Sequence, residues 1–349
     1  MIKMNLLTAA LISAVIAFVL TAVLGRVLIP ELHKLKFGQN ILTDIGPSWH
    51  AKKQGTPTMG GLMFIIGITV SVIITALLCK AFSIPVFSED ENIRSVEIVK
   101  LVAGFLLAIC SAMIGFADDY IKVVKKRNLG LTEIQKTIPQ LLIIAAYLAS
   151  LTIAGNTSMI IPLVGRVSFD TVPGLIFYYF FGACAIYGTI NAVNFTDGLD
   201  GLCAGVTLPV GVSFVVMAAI YKTTPVGIIG AALAGGLAGY LIWNHYPAKV
   251  MMGDTGSNFL GGLVAALAYA IDCPLIILAV GIIYVIEAMS DVIQIGSIKI
   301  RHKKVFKMAP IHHHFEMCGW NEKKIDVVFS LISVVGGAAA ILLMYFTLK

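Results

Sequence analysis

The stretch from Asn194 to Gly201, Asn-Phe-Thr-Asp-Gly-Leu-Asp-Gly, places three polar groups at the end of a long apolar run. Asn194, Asp197 and Asp200 follow one another at three-residue intervals, so in a helix they would share one stripe. Carboxylates beside such a run are costly unless they bind something. A capped helix end is the alternative, but a cap needs only one carboxylate. We therefore expect a site for a substrate or a cation. The adjoining face would carry only glycines, which would let another helix or a ligand approach closely; these are Gly198, Gly201 and Gly205.

Asp118 and Asp119 end another apolar run, in Gly-Phe-Ala-Asp-Asp-Tyr. Adjacent residues on a helix point about 100° apart, so we expect the two carboxylates to have different roles. They could instead be solvated acids beside Lys122. Acids at a helix C-terminus oppose the macrodipole, however, and are unfavourable without a cation nearby.

Asp254 stands in a third polar stretch, Met-Met-Gly-Asp-Thr-Gly-Ser, where a further helix is predicted to begin. Asp254 or Thr255 could simply cap that helix. The free N–H groups of a helix N-terminus also attract anions, and an Asp there could hold magnesium against a phosphate. We favour the magnesium interpretation once the other acids are counted.

Composition indicates the environment of these acids. Of the 349 residues, 58% are hydrophobic and 13% are charged, which indicates a membrane protein rather than a soluble one. Each crossing needs about 20 apolar residues, so the chain has room for roughly ten transmembrane helices. We predict an all-α, polytopic integral membrane protein in which residues 1–349 form a single domain. The predicted helices are Leu6–Ile29, Thr58–Cys79, Ile98–Ala117, Ile138–Ile153, Pro173–Val193, Leu202–Ile220, Val226–Trp243, Ser257–Ile271, Leu275–Ser297 and Ile325–Phe346.

The distribution of charge predicts the topology. Lys and Arg, which give a net charge of +6, are concentrated after the first, third and ninth predicted helices. By the positive-inside rule these connections are cytoplasmic and both termini are outside. This topology brings Asp118, Asp119, Asp197, Asp200 and Asp254 to the cytoplasmic face together, which indicates one shared site. No nucleic-acid partner is expected, because there is no basic domain with interleaved aromatic residues.

The connections carry other candidate residues. Thr56 and Pro57 are predicted to cap and begin the second helix, and Lys53 lies just upstream as an interfacial cation. The run His312–His314 lies among basic residues and is expected to donate hydrogen bonds to phosphate or nucleotide groups. A solvated polar loop is the alternative. Zinc is not expected, since consecutive side chains diverge and no Cys/His pair stands at ligand spacing.

The ninth predicted helix carries a polar stripe. Glu287, Asp291 and Gln294 are spaced four and three residues apart and therefore share a face. Polar groups inside a membrane face the interior of the bundle. The stripe either binds substrate or holds helices together, and Gln294 is the better candidate for a functional role because it is nearest the cytoplasmic end.

The order and form of these motifs resemble a known superfamily, the polyprenyl-phosphate N-acetylhexosamine-1-phosphate transferases, over nearly the whole chain. The Asp118-Asp119 pair and the Asn194–Gly201 motif mark the superfamily. The Gly55–Gly61 stretch, with Pro-Thr-Met-Gly-Gly, and the Met308–Glu316 stretch, with Ala-Pro-Ile-His-His-His-Phe-Glu, are similar to its muramoyl-pentapeptide branch.

The resemblance implies transfer of phospho-MurNAc-pentapeptide from UDP-MurNAc-pentapeptide to undecaprenyl phosphate, giving lipid I and UMP in peptidoglycan synthesis. It also implies a ten-helix homodimer in the bacterial cytoplasmic membrane, a cytoplasmic cleft and Mg²⁺ dependence. By similarity Asp254 would hold the metal, and Asp118 and Asp119 would serve the lipid phosphate. The nucleotide sugar and the rest of the cleft would be served by Lys53, Thr58, Lys122, Lys136, Asn194, Asp197, Asp200, Asn244, Gln294, His312, His313 and His314.

This chain departs from the family pattern at Met251, where members commonly carry Phe. A thioether can still lie against a base, so uridine binding is expected without an aromatic stack at this position. Two alternative functions are compatible with the polar clusters. A sibling enzyme would move GlcNAc-1-phosphate to the same lipid, and an anion transporter would use the acids as cation or proton sites near the bilayer midplane. The branch-specific motifs favour the muramoyl-pentapeptide substrate.

Overall fold

The computed structural model describes residues 6–34, 55–125 and 130–349. Lys53 lies outside these ranges, and its predicted role stays a prediction. One antiparallel hairpin, β1 (Ser158–Ile161) and β2 (Gly165–Ser168), stands in a connection for which no strand was predicted. The helices are α1 (Leu6–Lys34), α2 (Gly61–Ala81), α3 (Glu91–Val124), α4 (Glu133–Ile153), α5 (Val172–Thr196), α6 (Leu202–Tyr221), α7 (Thr224–Asn244), α8 (Gly253–Ala270), α9 (Ile277–Val280), α10 (Ile282–Arg301), α11 (Ile311–Met317) and α12 (Glu322–Thr347).

Length and apolar composition account for most of these helices. Within the described ranges, 8 helices are long and apolar enough to cross a membrane, or up to 9 if a bent pair counts as one span. Helix α8 is not among them, because it begins with a polar turn. The predicted all-α, polytopic architecture is confirmed. Helix bounds differ from prediction chiefly at α3, which extends from Glu91 to Val124 rather than from Ile98 to Ala117.

The centre of the bundle is formed by α7 and α8. Helix α7 packs against α1 and α6, while α8 packs against α3 and α5. Every side chain of α8 from Thr255 to Tyr269 is buried, since protein surrounds this helix on all sides. The packing of α8 therefore fixes the position of its first turn relative to the ends of the neighbouring helices.

Gly115 brings α3 close to the start of α8. A Cβ atom at this position would lie 2.1 Å from the carbonyl oxygen of Asp254, so a larger residue would force the helices apart. Asp118 and Asp119 follow within about one turn on α3. The absence of a side chain at Gly115 thus allows both carboxylates to reach the first turn of α8.

The ninth predicted helix, Leu275–Ser297, is not continuous. Residues 274–280 and 282–301 meet at an angle of 87°. Gly281 has φ −104° and ψ 30°, which is not helical, and a Cβ there would lie 2.8 Å from the ring of Tyr284. The bend was missed because the residues on both sides of it are apolar, and a small break does not interrupt an apolar run.

Helix α5 also ends earlier than its polar motif suggests. It stops at Thr196, and the following turn passes through Gly201 at φ 82°. Asn194 is therefore on a helix whereas Asp200 is in a turn. The predicted single stripe of Asn194, Asp197 and Asp200 is wrong, because the helix ends at Thr196 and Asp197, with φ −82° and ψ 51°, has already left helical geometry.

The two ends of the bundle carry different polar groups. Leu6 packs on Gly227 near the start of α7, and Thr347 Oγ1 accepts a hydrogen bond from the amide of Leu163. The first and last described helices thus begin and end at the same end of the bundle. The carboxylates of Asp118 and Asp254 lie at the opposite end, where α3 finishes and α8 starts.

Asp272 organises the end of the bundle that carries the hairpin. Its Oδ1 lies 2.5 Å from Nζ of Lys100 and accepts from Asn156, and its Oδ2 lies 2.9 Å from both Arg166 Nη2 and the hydroxyl of Tyr221. Both Lys100 and Asp272 are buried. The carboxylate therefore connects α3, the hairpin and α6.

We expect Asp272→Ala to destabilise the protein, because Lys100 would remain buried without its partner. Breaking a buried pair in this way costs about 3–5 kcal/mol. Burial raises the pKa of the Asp272 carboxyl, but Lys100 and Arg166 lower it by more, so it lies below 3.8. The stabilisation is therefore complete above that ordinary value and is lost only as the pH falls through the lowered pKa. Thermal unfolding in detergent at several pH values measures both effects.

Asp170→Ala is the matched control. Asp170 lies at the same end of the bundle, in the connection that carries the hairpin, and accepts a hydrogen bond from Thr157, but it is exposed. Its removal should change the free energy of unfolding by less than about 1 kcal/mol. An equal loss of unfolding free energy in the two variants would contradict the stabilising role of Asp272.

Candidate active site

Three carboxylates converge where α3 ends and α8 begins. Oxygen atoms of Asp118, Asp119 and Asp254 lie within 4.8 Å of one another. Asp118 and Asp119 are buried and Asp254 is half-buried. The prediction that acids from distant parts of the chain share one site is confirmed for these three residues.

Asp119 caps helix α8. Its carboxylate accepts hydrogen bonds from the amides of Asp254 and Thr255 at 3.2 and 2.9 Å and from the hydroxyl of Thr255 at 2.7 Å. These amides belong to the first turn of α8, where N–H groups have no partner within their own helix. The anion-binding capacity of this helix end is thus used by a carboxylate from α3, and Asp119 fixes the position of Asp254.

Asp118 has different partners, as expected for a neighbour on the same helix. Its Oδ1 accepts a hydrogen bond from the amide of Leu131 at 2.7 Å. Lys122 Nζ lies 2.6 Å from Oδ2 of Asp118 and 3.2 Å from Oδ2 of Asp254, and Lys136 Nζ lies 3.1 Å from an oxygen of each. The two lysines therefore bridge the two carboxylates.

Lys136 is positioned by local sequence signals. Thr132 and Gln135 form a capping box at the start of α4, which fixes the first turn of that helix. Lys136 follows in this turn and reaches Asp118 on α3. The cluster therefore draws groups from α3, α4 and α8.

Asn194 joins the cluster from α5. Its Nδ2 donates to Oδ1 of Asp254 at 3.0 Å and to Oγ of Ser257 at 2.8 Å. Asp200 points elsewhere: its Oδ2 accepts from the amide of Ala248 at 2.9 Å, while its own amide donates to Glu322. Asp197 ends α5 and is half-buried in the intervening turn. The Asn194–Gly201 motif thus connects the acids to the loop that follows α7.

The donor set is suited to a divalent cation. Carboxylate oxygens are the ligands that Mg²⁺ and Ca²⁺ prefer, and three are available here. When all five groups are ionised, three carboxylates and two lysines leave one net negative charge. The buried acids are thus neutralised largely by Lys122 and Lys136, and each lysine contacts Asp254, the predicted metal ligand.

The Pro-Thr-Met-Gly-Gly motif forms one wall of the site. The amides of Gly60 and Gly61 donate to the carbonyls of Met251 and Met252, and the amide of Met251 donates to the carbonyl of Pro57. Helix α2 begins only at Gly61 and has no side-chain cap. The predicted start of this helix at Thr56 and Pro57 is therefore wrong, because backbone pairing with Met251 and Met252 and a left-handed turn at Met59 (φ 68°) keep this segment out of the helix.

Thr58 and Asn244 lie around this wall. The Thr58 hydroxyl would be 2.6 Å from a Cβ on Gly253. Asn244 is buried, accepts a hydrogen bond from the amide of Gly201 and donates to the carbonyl of Val250. Met251 is only 5% exposed and its sulfur faces the Asn244 amide. Asn244 therefore connects the end of the Asn194–Gly201 motif to the segment that precedes Asp254.

The histidine run forms helix α11 rather than an open loop. His312 is buried with its Nδ1 3.1 Å from Oε2 of Glu287, and His313 Nδ1 is 2.6 Å from Oε2 of Glu316. His314 accepts from the amide of Lys307. On a short helix the three side chains diverge, so each has a different protein partner.

Gln294 fixes the chain before α11. Its Oε1 accepts from the amides of Val305 and Phe306, and its Nε2 donates to the carbonyl of Phe306. Together with the contact between Glu287 and His312, this shows what the stripe on α10 does in the structure. It holds the segment between α10 and α12 against the bundle.

An apolar groove of about 330 Å³ runs between α5 and the α9–α10 bend. Its lining residues include Phe181, Gly188, Ala192, Leu278 and Met289. Ala192 is two residues before Asn194, which contacts Asp254. One end of the groove therefore lies close to the carboxylates.

Sequence reasoning did not single out several residues that the structure brings into the site. Thr255 and Ser257 bond to Asp119 and Asn194, and Glu322 accepts from the amide of Asp200. The first two stand in the quoted Gly-Asp-Thr-Gly-Ser stretch, where hydroxyls beside an acid were a usable signal. Glu322 belongs to the last helix, and nothing local in its sequence indicates this contact.

Comparisons with known proteins agree with the motifs. Residues 101–272 match the glycosyl transferase family 4 profile, and residues 53–65 match signature 1 of the phospho-N-acetylmuramoyl-pentapeptide-transferases. A protein of that name from Clostridium botulinum (strain Eklund 17B / Type B) is 43% identical over 337 residues, 95% of either chain. One from Acetivibrio thermocellus is 44% identical over 322 residues, 92% of this chain and 91% of the relative. One from Desulforamulus reducens is 40% identical over 338 residues, 94% and 96% of the two chains. The chain belongs to the phospho-N-acetylmuramoyl-pentapeptide-transferase family.

Proposed function

We propose that this protein transfers phospho-MurNAc-pentapeptide from UDP-MurNAc-pentapeptide to undecaprenyl phosphate, giving lipid I and UMP. The observation that carries the proposal is the convergence of Asp118, Asp119 and Asp254 at one end of a membrane bundle, in a chain similar over 95% of its length to proteins named for this transfer. A reaction between two anionic phosphates needs positive charge where they meet. The site combines two lysines with carboxylates that suit a divalent cation.

The cation of this site would be Mg²⁺, with Asp254 as its ligand and Asp118 close enough to assist. When bound, it would supply positive charge to phosphate oxygens on which negative charge develops. Lys122 and Lys136 contact both carboxylates, and flexible ammonium groups can turn from a carboxylate to a phosphate. These lysines would hold the diphosphate of the donor. Asp119 would keep the first turn of α8 in place while they do so.

The lipid phosphate would attack the sugar-linked phosphorus directly. A phosphate monoester has its second pKa near 6, so the acceptor is mostly dianionic at neutral pH and needs little help from a base. We therefore assign Asp118 to orienting Lys122 and Lys136 rather than to removing a proton. Isolation of a phosphorylated Asp118 or Asp119 after incubation with donor alone would overturn this assignment.

The nucleotide sugar would occupy the polar surface next to these carboxylates. Asp197, Asp200 and Asn244 belong to the segments that surround it, and Thr58 lies beside Gly253 at its edge. Gln294 and the run His312–His314 would border it from α10 and α11. Lys53, which precedes Thr58 in the chain, would complete the cleft.

The prenyl chain of the acceptor would lie in the apolar groove between α5 and the α9–α10 bend. This groove is open to the membrane side and ends near Asn194, so a lipid in it could place its phosphate at the carboxylates. The carboxylate end would face the cytoplasm of a bacterial cell, since UDP-linked donors and the basic connections are expected there. The enzyme would reside in the inner membrane as a homodimer.

The donor assay is the first test of this function. Purified protein, Mg²⁺ and undecaprenyl phosphate are incubated with UDP-MurNAc-pentapeptide or with UDP-GlcNAc, and UMP is measured. We expect UMP with the muramoyl donor only, because the sugar-linked peptide is what the family name specifies. UMP with UDP-GlcNAc alone would favour the sibling transferase, and UMP with neither donor would refute transferase activity.

Asp254→Asn tests the assignment of the cation. The change keeps the shape of the side chain but removes the charge that would hold Mg²⁺ and pair with Lys122 and Lys136. We expect UMP release to fall by at least about 100-fold, as when a group that stabilises transition-state charge is lost. The thermal midpoint of unfolding should change little. The control is Asp170→Asn at the far end of the bundle, which should leave UMP release unchanged. Magnesium-dependent activity retained in Asp254→Asn would contradict the assignment of the cation.

Gly188→Leu tests the groove. A Cβ at Gly188 would meet no atom within 4 Å, so a leucine can extend into the groove without displacing the protein. We expect the KM for undecaprenyl phosphate to rise about ten-fold while the KM for the donor is unchanged, since apolar contact area for the lipid is lost. Gly296→Leu, also on a helix and also unobstructed, is the matched control. Equal effects of the two changes would exclude the groove as the lipid site.

A further inference from the structure

Glu287 is a fully buried carboxylate on helix α10. Its Oε2 lies 3.1 Å from Nδ1 of His312, which is itself 1% exposed. A buried pair of this kind contributes little to stability compared with apolar side chains of the same size. The pair holds α11 against α10, and its place at the edge of the proposed site lets it orient the His312 ring as well.

The contact determines how the His312 ring is oriented. An ionised carboxylate only accepts hydrogen bonds, so Nδ1 of His312 carries the ring proton and donates a hydrogen bond to Glu287. The other nitrogen, Nε2, is buried and has no hydrogen-bond partner among the residues that the structure describes. Such a nitrogen is costly to leave unpaired and calls for a partner that the chain itself does not provide.

The Nε2 edge of His312 faces the Asn194–Gly201 motif. A Cβ placed on Gly198 would lie 2.1 Å from Nε2 and 2.6 Å from Cε1. Only a glycine allows the ring to come this close to the turn that carries Asp197 and Asp200. Asn194, which contacts Asp254, is one helical turn earlier. The unpaired nitrogen therefore lies between α11 and the segment that borders the carboxylate cluster.

We propose that Glu287 is a positioning residue for donor binding, an inference that rests on the proposed function. It holds His312 so that Nε2 meets a polar group of the nucleotide sugar at the Gly198 turn. Asp291 lies one turn further along α10 and is half-buried, and it makes no hydrogen bond to His312 within the described part of the chain. Within the described part of the chain, Glu287 is therefore the hydrogen-bond partner that orients the ring.

A double-mutant cycle tests this role. We expect Glu287→Ala to raise the KM for UDP-MurNAc-pentapeptide about ten-fold, the effect of one hydrogen bond, with kcat changed less than about two-fold. The KM for undecaprenyl phosphate should not change. In a His312→Ala background, the same change should have no further effect on the donor KM, because Glu287 acts through the ring. Glu287→Gln should lie between wild type and Glu287→Ala, since its amide oxygen can still accept from Nδ1.

Asp272→Asn is the control for a structural effect. It alters a buried acid at the other end of the bundle and should lower the unfolding temperature without changing the donor KM. Titration of each variant with UMP by calorimetry gives a readout that does not need turnover. The proposal is overturned if the effects of Glu287 and His312 on the donor KM add independently. It is also overturned if Glu287→Gln and Glu287→Ala lower the unfolding temperature while leaving UMP affinity and the donor KM unchanged.

These outcomes are separate from failure of the proposed function. Absence of turnover in the wild-type protein refutes the transferase activity. Unchanged UMP affinity together with an unchanged donor KM in the Glu287 variants refutes the positioning role even where wild-type turnover is normal.

Discussion

Neutralising carboxylates inside a bundle of apolar helices is the constraint on which this structure depends. At one end Lys122 and Lys136 each contact both Asp118 and Asp254. At the other end Asp272 gathers a lysine, an arginine, an asparagine and a tyrosine. In both places the charged groups come from several segments of the chain, so charge pairing also fixes how the helices are arranged. The difference is that the Asp272 network is closed and structural, whereas the lysines at the other end are partly exposed and can change partners.

Close backbone approach is what allows such pairs to form across helices. Gly115 permits α3 to contact the first residues of α8, and Gly198 permits His312 to lie on the turn after α5. The backbone pairing of Pro57–Gly61 with Met251 and Met252 adds a further contact between distant parts of the chain. Motifs that are far apart in sequence thereby form one continuous surface, and their order along the chain follows from which helix ends meet at it.

The sequence predicted the helices and the convergence of the acids because both depend on simple patterns. Apolar runs of membrane length indicate helices, and the sidedness of basic connections brings Asp118, Asp119 and Asp254 together. It could not predict the break at Gly281, since an apolar run continues through it, nor the short hairpin between α4 and α5. The division of labour within the Asp118–Asp119 pair was only partly foreseeable. Helix geometry indicates that the two side chains diverge, but that one of them caps another helix depends on tertiary packing.

The occupation of the α8 N-terminus by Asp119 has a consequence for how the empty enzyme behaves. The amides that many nucleotide-binding proteins offer to phosphate are already satisfied here, and the remaining acids have internal counterions. The protein therefore does not need an external cation to keep its folded arrangement. Removal of the proposed Mg²⁺ by a chelating agent should therefore leave the helices in place, so metal-free protein can be purified, stored and reloaded.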